Sequence, residues 1–525
     1  MKVPIIDVFA GSGGLGEGFS KFGYEGNSGF EIALSIENES NAHKTLELRS
    51  FFRKFTSNQV PKEYYSIMQE KDLKKRDQLR QSLFEKYPQQ AQKAKFEAWR
   101  ITLGQTPIEE VDQRVREALA GKENWVLIGG PPCQAYSLAA RGRLNPKKIE
   151  ADERLHLYKE FVRIVAVHSP SVFLMENVKG LMSSKLNGER IFPKILSYLE
   201  SPKLLFNVGH YSYKLYSLCQ KQENTNDIHS KYLIKSEDFG IPQKRHRVFV
   251  LGIREDIKIK PCNLEPSETT VSVSDVIADL PMIRASINRS LVADKNNFDP
   301  KRRQYKKEED SFQNWFKIMS AHYKDISHYL HMGNPNKFTP PPLNSGAEFV
   351  KCHTPSKSNP LYNWYRDKNI KGVSNHESRS HLVQDLKRYL FSALWAKKHK
   401  KSPTLSDYRT TSEGLLPHHK NATSGKFLDR FRVQLENEPT YTITSHISVD
   451  GHYYIHYDPL QCRSFTVREA ARIQTFPDNY LFCGSRTAQY KQVGNAVPPL
   501  LAKQIAEIVF KILMPMDSDT NQEET

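Results

Sequence analysis

The sequence predicts an α/β protein built on a doubly wound parallel sheet, with a separate mixed domain set into the chain. Three observations predict it. An apolar run, Val3 to Phe9, ends in a glycine-rich turn; similar runs recur with helical spacing between them; and this rhythm is lost between about Arg254 and Pro439 before it resumes.

Val3-Pro-Ile-Ile-Asp-Val-Phe9 is apolar almost throughout, as a parallel strand buried on both faces requires. Leu15 to Phe22 has helical spacing, Phe30 to Ile36 reads as a second strand, and a helix follows through about Leu48. From about Phe51 to Asn124 the composition shifts to Lys, Gln, Glu and Arg, which reads as a helical insertion on the surface of the sheet domain. Trp125 to Ile128 is another buried strand, closed by Gly129-Gly130-Pro131-Pro132. Val162 to Val167 reads as helix, Val172 to Met175 as the next strand, and Val248 to Ile253 as a late strand, antiparallel at a sheet edge. Regular patterns return after Tyr441 and end in an apolar helix from Leu500 to Leu513. The expected organisation is therefore a sheet domain over 1–254 with its insertion at about 51–124, a second domain over 255–439, and a return to the sheet domain over 440–525.

Hydrophobic residues make up 38% of the chain and charged residues 26%, the balance of a globular protein. No stretch reaches the roughly 20 uninterrupted apolar residues that span a bilayer. Asp7 interrupts the first apolar run too early for a secretory signal, so an intracellular protein without a membrane partner is expected. The cysteines Cys133, Cys219, Cys262, Cys352, Cys462 and Cys483 form no CxxC pair, which argues against a structural zinc site or a disulfide framework. The formal net charge of +17 points to a polyanionic partner. About half of that excess falls in 255–439, with clusters such as Lys301-Arg-Arg303 and Lys397-Lys-His-Lys-Lys401.

Four constellations carry chemistry. In Asp7-Val-Phe9-Ala-Gly11-Ser-Gly13-Gly14-Leu15, glycines directly after a strand allow a ligand close to the backbone at a helix N-terminus. The order is not Gly-x-Gly-x-x-Gly, so a dinucleotide is disfavoured; Glu37, after the second strand, is placed to take two ribose hydroxyls, and a nucleoside without a pyrophosphate fits both facts. Gly129-Gly130-Pro131-Pro132-Cys133-Gln134-Ala-Tyr136-Ser137 holds a thiol on a rigid loop at the carboxyl edge of the sheet, a setting for a nucleophile rather than core filler. In Phe173-Leu-Met-Glu176-Asn177-Val178 a carboxylate emerges from an apolar strand, where partial burial suits it to share a proton. In Gly240-Ile-Pro-Gln243-Lys-Arg245-His-Arg247-Val248, alternation puts Gln243, Arg245 and Arg247 on one face.

Together these blocks resemble the cytosine-5 DNA methyltransferase family of the bacterial restriction-modification type. Arg468-Glu-Ala-Ala-Arg472-Ile-Gln474-Thr-Phe476-Pro477 is similar to the family's ninth block, and Gln492-Val-Gly494-Asn495-Ala-Val497-Pro498-Pro499 to its tenth, which completes the cofactor pocket beside the first. The resemblance implies a Rossmann-like, S-adenosylmethionine-dependent methyltransferase sheet with a mixed target-recognition domain at about 255–439. It implies cofactor contacts from Phe9, Gly11, Gly13, Gly14, Leu15, Glu37, Asn38, Pro131, Asn495 and Val497, and substrate contacts from Gln134, Ser137, Asn177 and Gln243. Cys133 is the implied nucleophile toward carbon 6 of a flipped-out cytosine; Glu176 holds nitrogen 3, Arg247 lies near the exocyclic oxygen, and Arg245 supports the site. No metal is implied.

Two departures from the family pattern stand out. The family's Gly-Asp-Ile-like block, whose aspartate binds the adenine amine, is displaced by the 51–124 stretch; Asp112 stands at a suitable distance before Cys133 but in helical surroundings, and the contact stays unassigned. The residue after Glu37 is Asn38, where a large apolar side chain often packs the adenine. The expected partners are double-stranded DNA, with residues such as Arg302 and Lys398 at its phosphates, and a cognate restriction endonuclease; the expected state is a monomer in the bacterial cytoplasm. Three alternatives are an RNA cytosine-5 methyltransferase, whose branch carries a Cys-Phe-Thr signature not found here, a catalytically silent DNA-binding protein, and a nicotinamide oxidoreductase.

Overall fold

The structure is a computed structural model that describes residues 2–24, 27–56, 58–132, 157–186, 188–219, 228–292, 304–332, 338–353, 355–409, 415–417 and 429–514. The chain divides into two compact units, one of residues 1–60, 84–269 and 495–525, the other of 61–83 and 270–494.

The first unit is organised by one sheet. Its strands in chain order are β1 (Val3–Val8), β2 (Phe30–Ile36), β3 (Ala98–Trp99), β4 (Val126–Gly129), β5 (Val172–Val178), β6 (Tyr213–Tyr216), β7 (Leu233–Lys235) and β8 (His246–Arg254). The order across the sheet is β6-β8-β5-β4-β1-β2-β3, with β7 also on β8. The pairings among β1 to β5 are parallel, whereas β8 runs antiparallel to β5, β6 and β7. One register row crosses the sheet through Trp99, Ile36, Val8, Gly129, Met175 and Val250.

Period-2 alternation divides the strand residues between two cores. Ile6, Val8, Leu127, Phe173 and Met175 face helices α4 (Ile108–Leu119), α5 (Tyr158–His168) and α6 (Ile191–Glu200). Ile5, Ile128 and Leu174 face α1 (Gly14–Lys21) and α7 (Pro499–Leu513). Helices α2 (Ser40–Arg53) and α3 (Pro88–Glu97) lie between β2 and β3 in sequence. A Cβ on Gly18 would stand 2.4 Å from both the Ala502 Cβ and the Pro499 carbonyl, so α1 and α7 touch backbone to backbone. The contact lets Phe510 of α7 pack on Phe22 and Phe30, with ring centroids 5.2 and 5.8 Å away.

Three sequence expectations change here. Val248–Ile253 is antiparallel as expected but is not an edge, because the short, half-polar strands β6 and β7 pair beyond it. The 51–124 stretch is not a single surface insertion. Val111, Val115 and Leu119 make α4 a covering helix of the sheet core, each fully buried side chain contributing about 1.5–3 kcal/mol. Residues 61–83 belong to the second unit, where Tyr64 donates to the Asn479 carbonyl (3.0 Å), Tyr65 to Asp367 (2.9 Å) and Arg76 to Glu348 (2.9 Å).

The second unit packs the helices Phe312–Tyr329 and Val383–His399 around Trp315, Met319, Leu386, Leu390 and Phe391. Residues 440–494 lie in this unit rather than returning to the sheet. The physical reason is that the charges of the ninth block turn inward: Arg472 holds Asp478 (2.7 Å) and Asp279 (2.6 Å), Arg463 holds Glu469 (2.6 Å), and Arg468 donates to the Ser374 carbonyl (2.9 Å). Lys398 is not free for phosphate, because its ammonium donates to the Leu330 carbonyl (2.6 Å) at the end of the Phe312–Tyr329 helix; Arg302 lies outside the described residues.

Candidate active site at the carboxyl edge of the sheet

The strands β1, β2 and β4 end in step while β5 runs on beyond them, so the residues just past their common register row, Phe9, Glu37, Gly130 and Glu176, gather at one edge. The loop after β1 turns through left-handed backbone at Phe9 (φ 56°), Gly11 (φ 58°) and Gly13 (φ 82°). Phe9 holds a conformation that disfavours side chains, and its half-buried ring rests on the α4–α5 core. A Cβ at Gly11 would have nothing within 4 Å, so the loop opens onto free space there. One at Gly14 would lie 2.2 Å from the Val497 carbonyl, so the tenth block sits directly on the first. Leu15 is buried in the α1–α7 core and offers the edge only backbone, while Asn38 and Asn495 are exposed.

Glu37 accepts the Gly11 amide (2.8 Å) on one carboxylate oxygen and the Glu39 amide (2.8 Å) on the other. Burial pushes its pKa up, and the amide hydrogen bonds work against that rise. Beneath the loop Asp7 is fully buried. Burial pushes this carboxyl up to about 8; Arg53 opposes the shift and Glu37 adds to it. The sequence contained Asp7 in its first motif without distinguishing it from the other strand residues.

At β4 and β5, two close approaches set the loop that leads to Cys133. A Cβ at Gly129 would fall 2.4 Å from the Val8 carbonyl, and one at Gly130 would fall 3.0 Å from Glu176 Oε2. Asn177 then donates from Nδ2 to the Pro131 carbonyl (3.2 Å) and accepts the Val178 amide on Oδ1 (2.8 Å). Cys133, Gln134 and Ser137 lie outside the described residues.

Arg247 reaches across from β8, its Nε 3.2 Å from Glu176 Oε1. Burial lowers the guanidinium pKa and the Glu176 carboxylate raises it again. Gln243 and Arg245 are buried in the segment before β8, where Ser236 donates from Oγ to the Arg245 carbonyl (2.7 Å). The edge thus brings together two groups: Phe9, Gly11, Gly14, Glu37 and Val497 around the glycine loop, and Gly130, Pro131, Glu176, Asn177 and Arg247 around the loop to Cys133.

Asp112 is not at this edge. On α4 it accepts from Arg163 Nη1 (2.7 Å) and His168 Nε2 (2.9 Å) of α5. Burial disfavours its charge, but these two partners hold its pKa below the ordinary range. It joins two covering helices, which rules it out as the adenine contact.

The profile of the C-5 cytosine-specific DNA methylase family matches residues 83–511. A type II methyltransferase of Bacillus paralicheniformis is 30% identical over 524 residues, covering 97% of this chain and 99% of its own. A type II methyltransferase of Desulfomicrobium norvegicum is 28% identical over 396 residues, covering 73% of this chain and 71% of its own. Among solved structures, one described as a DNA modification methyltransferase encoded within an E. coli prophage aligns with a TM-score of 0.51 at 18% identity, covering 98% of this chain and 99% of that one, which supports the fold.

Proposed function

Since the chain belongs to the C-5 cytosine-specific DNA methylase family and methylates carbon 5 of cytosine in DNA, we propose that it takes the methyl group from S-adenosylmethionine and attacks the base through Cys133. The pairing of Glu176 with Arg247 beside Gly130 and Pro131 is the observation that carries this reading.

The glycine-loop residues fit the cofactor. Gly11 opens onto free space, Glu37 presents a carboxylate suited to ribose hydroxyls, and Gly14 against Val497 closes the far wall. When bound, the cofactor supplies an electrophilic methyl group on a sulfonium. Gly11, Gly13, Gly14, Glu37 and Val497 would hold it.

An unactivated cytosine carbon is too weak a nucleophile for that methyl group. Addition of the Cys133 thiolate to carbon 6 converts the ring to an enamine, and carbon 5 then takes the methyl. Glu176 holds nitrogen 3, where charge changes as the ring is attacked, and Arg247 keeps that carboxylate oriented while facing the exocyclic oxygen. Loss of the carbon-5 proton and departure of the thiolate restore the aromatic ring. The base must leave the duplex for both of its faces to be reached.

The second unit, whose basic stretch lies between β8 and the ninth block, serves as the recognition part on double-stranded DNA. We place the protein in a bacterial cytoplasm as a monomer, guarding the site of a cognate restriction endonuclease; among the described residues no helix is long and apolar enough to cross a membrane. Bisulfite sequencing of plasmid from an expressing host tests the whole reading. Protection of cytosine at one short sequence is the expected result, and an unmodified plasmid would refute it.

A further inference from the structure

The segment between β7 and β8 leaves the sheet and re-enters it at facing positions, because Lys235 pairs with His246 in the antiparallel register. Ser236–Phe239 forms a single 3-10 turn, and Gly240 reverses the chain after it at φ 74°. The far half of the segment is held by burial, with Phe239 and Ile241 in the α1–α7 core. Its mouth is held by polar contacts. Both the amide (3.2 Å) and the hydroxyl (2.7 Å) of Ser236 donate to the Arg245 carbonyl, and His246 donates from Nε2 to Glu237 Oε1 (2.7 Å).

Arg247 follows directly. Its guanidinium is held at two places, Nε by Glu176 and Nη1 by the carbonyl of His246 (2.9 Å). A guanidinium is planar and rigid, so two such contacts fix its direction. The carbonyl of His246 keeps its own direction only while the backbone on either side of it is fixed. After it, Arg247 is paired with Val178 of β5, where that ladder begins; His246 itself is paired with β7 alone. The contact with Glu237 supplies a further restraint at this position, through the imidazole. Both side chains keep some exposure, 33% for His246 and 19% for Glu237, and a pair so exposed adds little stability of its own. What it fixes is a direction.

Resting on the role given to Arg247 above, we propose that Glu237 and His246 are positioning residues for methyl transfer. They act through the His246 carbonyl, which holds the Arg247 guanidinium in place beside Glu176. Glu237 thus takes part from outside the Gln243–Arg247 motif, six residues before it begins.

The test is a set of single-turnover rates for the full-length protein, with methyl-labelled S-adenosylmethionine and unmethylated plasmid. Glu237→Ala and His246→Ala should each slow transfer about tenfold, the scale of one charge-assisted hydrogen bond. The double variant should be no slower than the slower single, since one contact is lost in all three. Binding of S-adenosylhomocysteine, read by calorimetry, should stay within about threefold for each. Glu237→Gln keeps the acceptor and His246→Gln the donor, and each should recover most of the rate. The deciding comparison is made on Arg247→Ala. Adding Glu237→Ala there should slow transfer no further, because no guanidinium is left to position. A further tenfold fall, or a wild-type rate for Glu237→Ala alone, overturns the inference while the role of Arg247 stands. An equal loss of S-adenosylhomocysteine binding overturns it too, by marking the pair as structural. If Arg247→Ala itself transfers at the wild-type rate, the role of Arg247 falls and the inference falls with it. Should the alanine variants fail to fold, Glu237→Met keeps the shape without a strong acceptor and carries the same expectations.

Discussion

Arg247 Nε stands 3.2 Å from Glu176 Oε1 across two antiparallel strands. Glu176 is opposite Phe249 and Arg247 is opposite Val178, so the pair is a diagonal one, within reach only of long side chains. Arg247→Ala should therefore leave Glu176 without its orienting partner. We expect methylation in single turnover to fall about 10²- to 10³-fold, the usual scale for losing one electrostatic contact to the reacting group. Binding of S-adenosylhomocysteine should stay within about threefold, since Arg247 is remote from the glycine loop. An equal loss in both measurements would mean that the pair holds the fold and not the base.

Cys133→Ser should abolish methyl transfer and leave cofactor binding nearly intact, because a serine hydroxyl is far less ionised than a thiol at neutral pH. The covalent step is read directly with DNA carrying fluorine at carbon 5, where the proton that must leave is absent. Wild type should stay attached to that DNA through denaturation and the serine variant should not. Methylation by the variant at near the wild-type rate would sink the mechanism.

The parts of this fold that the sequence reveals are those buried on both faces. Residues 3–8, 30–36, 126–129 and 172–178 are nearly unbroken apolar runs and read as strands for that reason. Helix α4 reads as a helix, but its place on the sheet core is concealed because its buried stripe of Val111, Val115 and Leu119 is diluted by Glu, Asp, Gln and Arg. The strand at Ala98–Trp99 is too short to show a period, and with it the neighbours of Glu37 stay hidden. That Arg468 and Arg472 turn inward is not legible either, because the Ser374 carbonyl and the Asp279 carboxylate that receive them are distant in sequence. The catalytic blocks are legible because their spacing is local; the partners of Asp112 are not, since 51 and 56 residues separate it from Arg163 and His168.

Asp7 gives the stability a pH dependence whose sign can be worked out. Its carboxyl titrates near 8 when folded and near 3.8 when unfolded. Between those values the native state holds a proton that the unfolded chain has lost, so the contribution of Asp7 is complete below about 4 and disappears as pH rises through about 8. Asp7→Asn keeps the neutral shape at every pH. The variant should therefore melt closer to wild type at pH 5 and above it at pH 9, by an amount on the order of a few kcal/mol. Thermal melting across that range checks it, and parallel curves for the two proteins would refute the assignment.

Gly14 and Gly11 should respond differently to alanine. At Gly14 the new methyl would meet the Val497 carbonyl at 2.2 Å, and backbone cannot rotate away, so the tenth block must shift off the first. Overpacking of that kind costs about 1–3 kcal/mol or more, and S-adenosylhomocysteine binding should fall with it. Gly11→Ala meets no atom and carries only the cost of a side chain at φ 58°, about 1 kcal/mol. Chemical denaturation and calorimetry compare the two. Equal destabilisation would mean that α1 and α7 can slide apart freely.

Exchange of the recognition part with a related enzyme should change the methylated sequence, and the structure says where the exchange must be cut. Swapping 255–439 alone would divide the second unit. Arg472, retained, would depend on an acid at the position of Asp279 from the donor; Arg76, also retained, would depend on one at Glu348. Each buried arginine left without its carboxylate costs about 3–5 kcal/mol, enough to unfold a unit of ordinary stability. Swapping 61–83 together with 270–494 keeps these pairs within one parent. We expect the first chimera to be insoluble or unstable, and the second to fold and to methylate the donor's sequence. The target atom should remain carbon 5 of cytosine, since Cys133, Glu176 and Arg247 stay with the sheet. Bisulfite sequencing on DNA containing all short sites reads the outcome. An active second chimera that keeps the recipient's site would place recognition on the sheet unit, and an equally stable first chimera would show that the buried arginine pairs do not define the boundary.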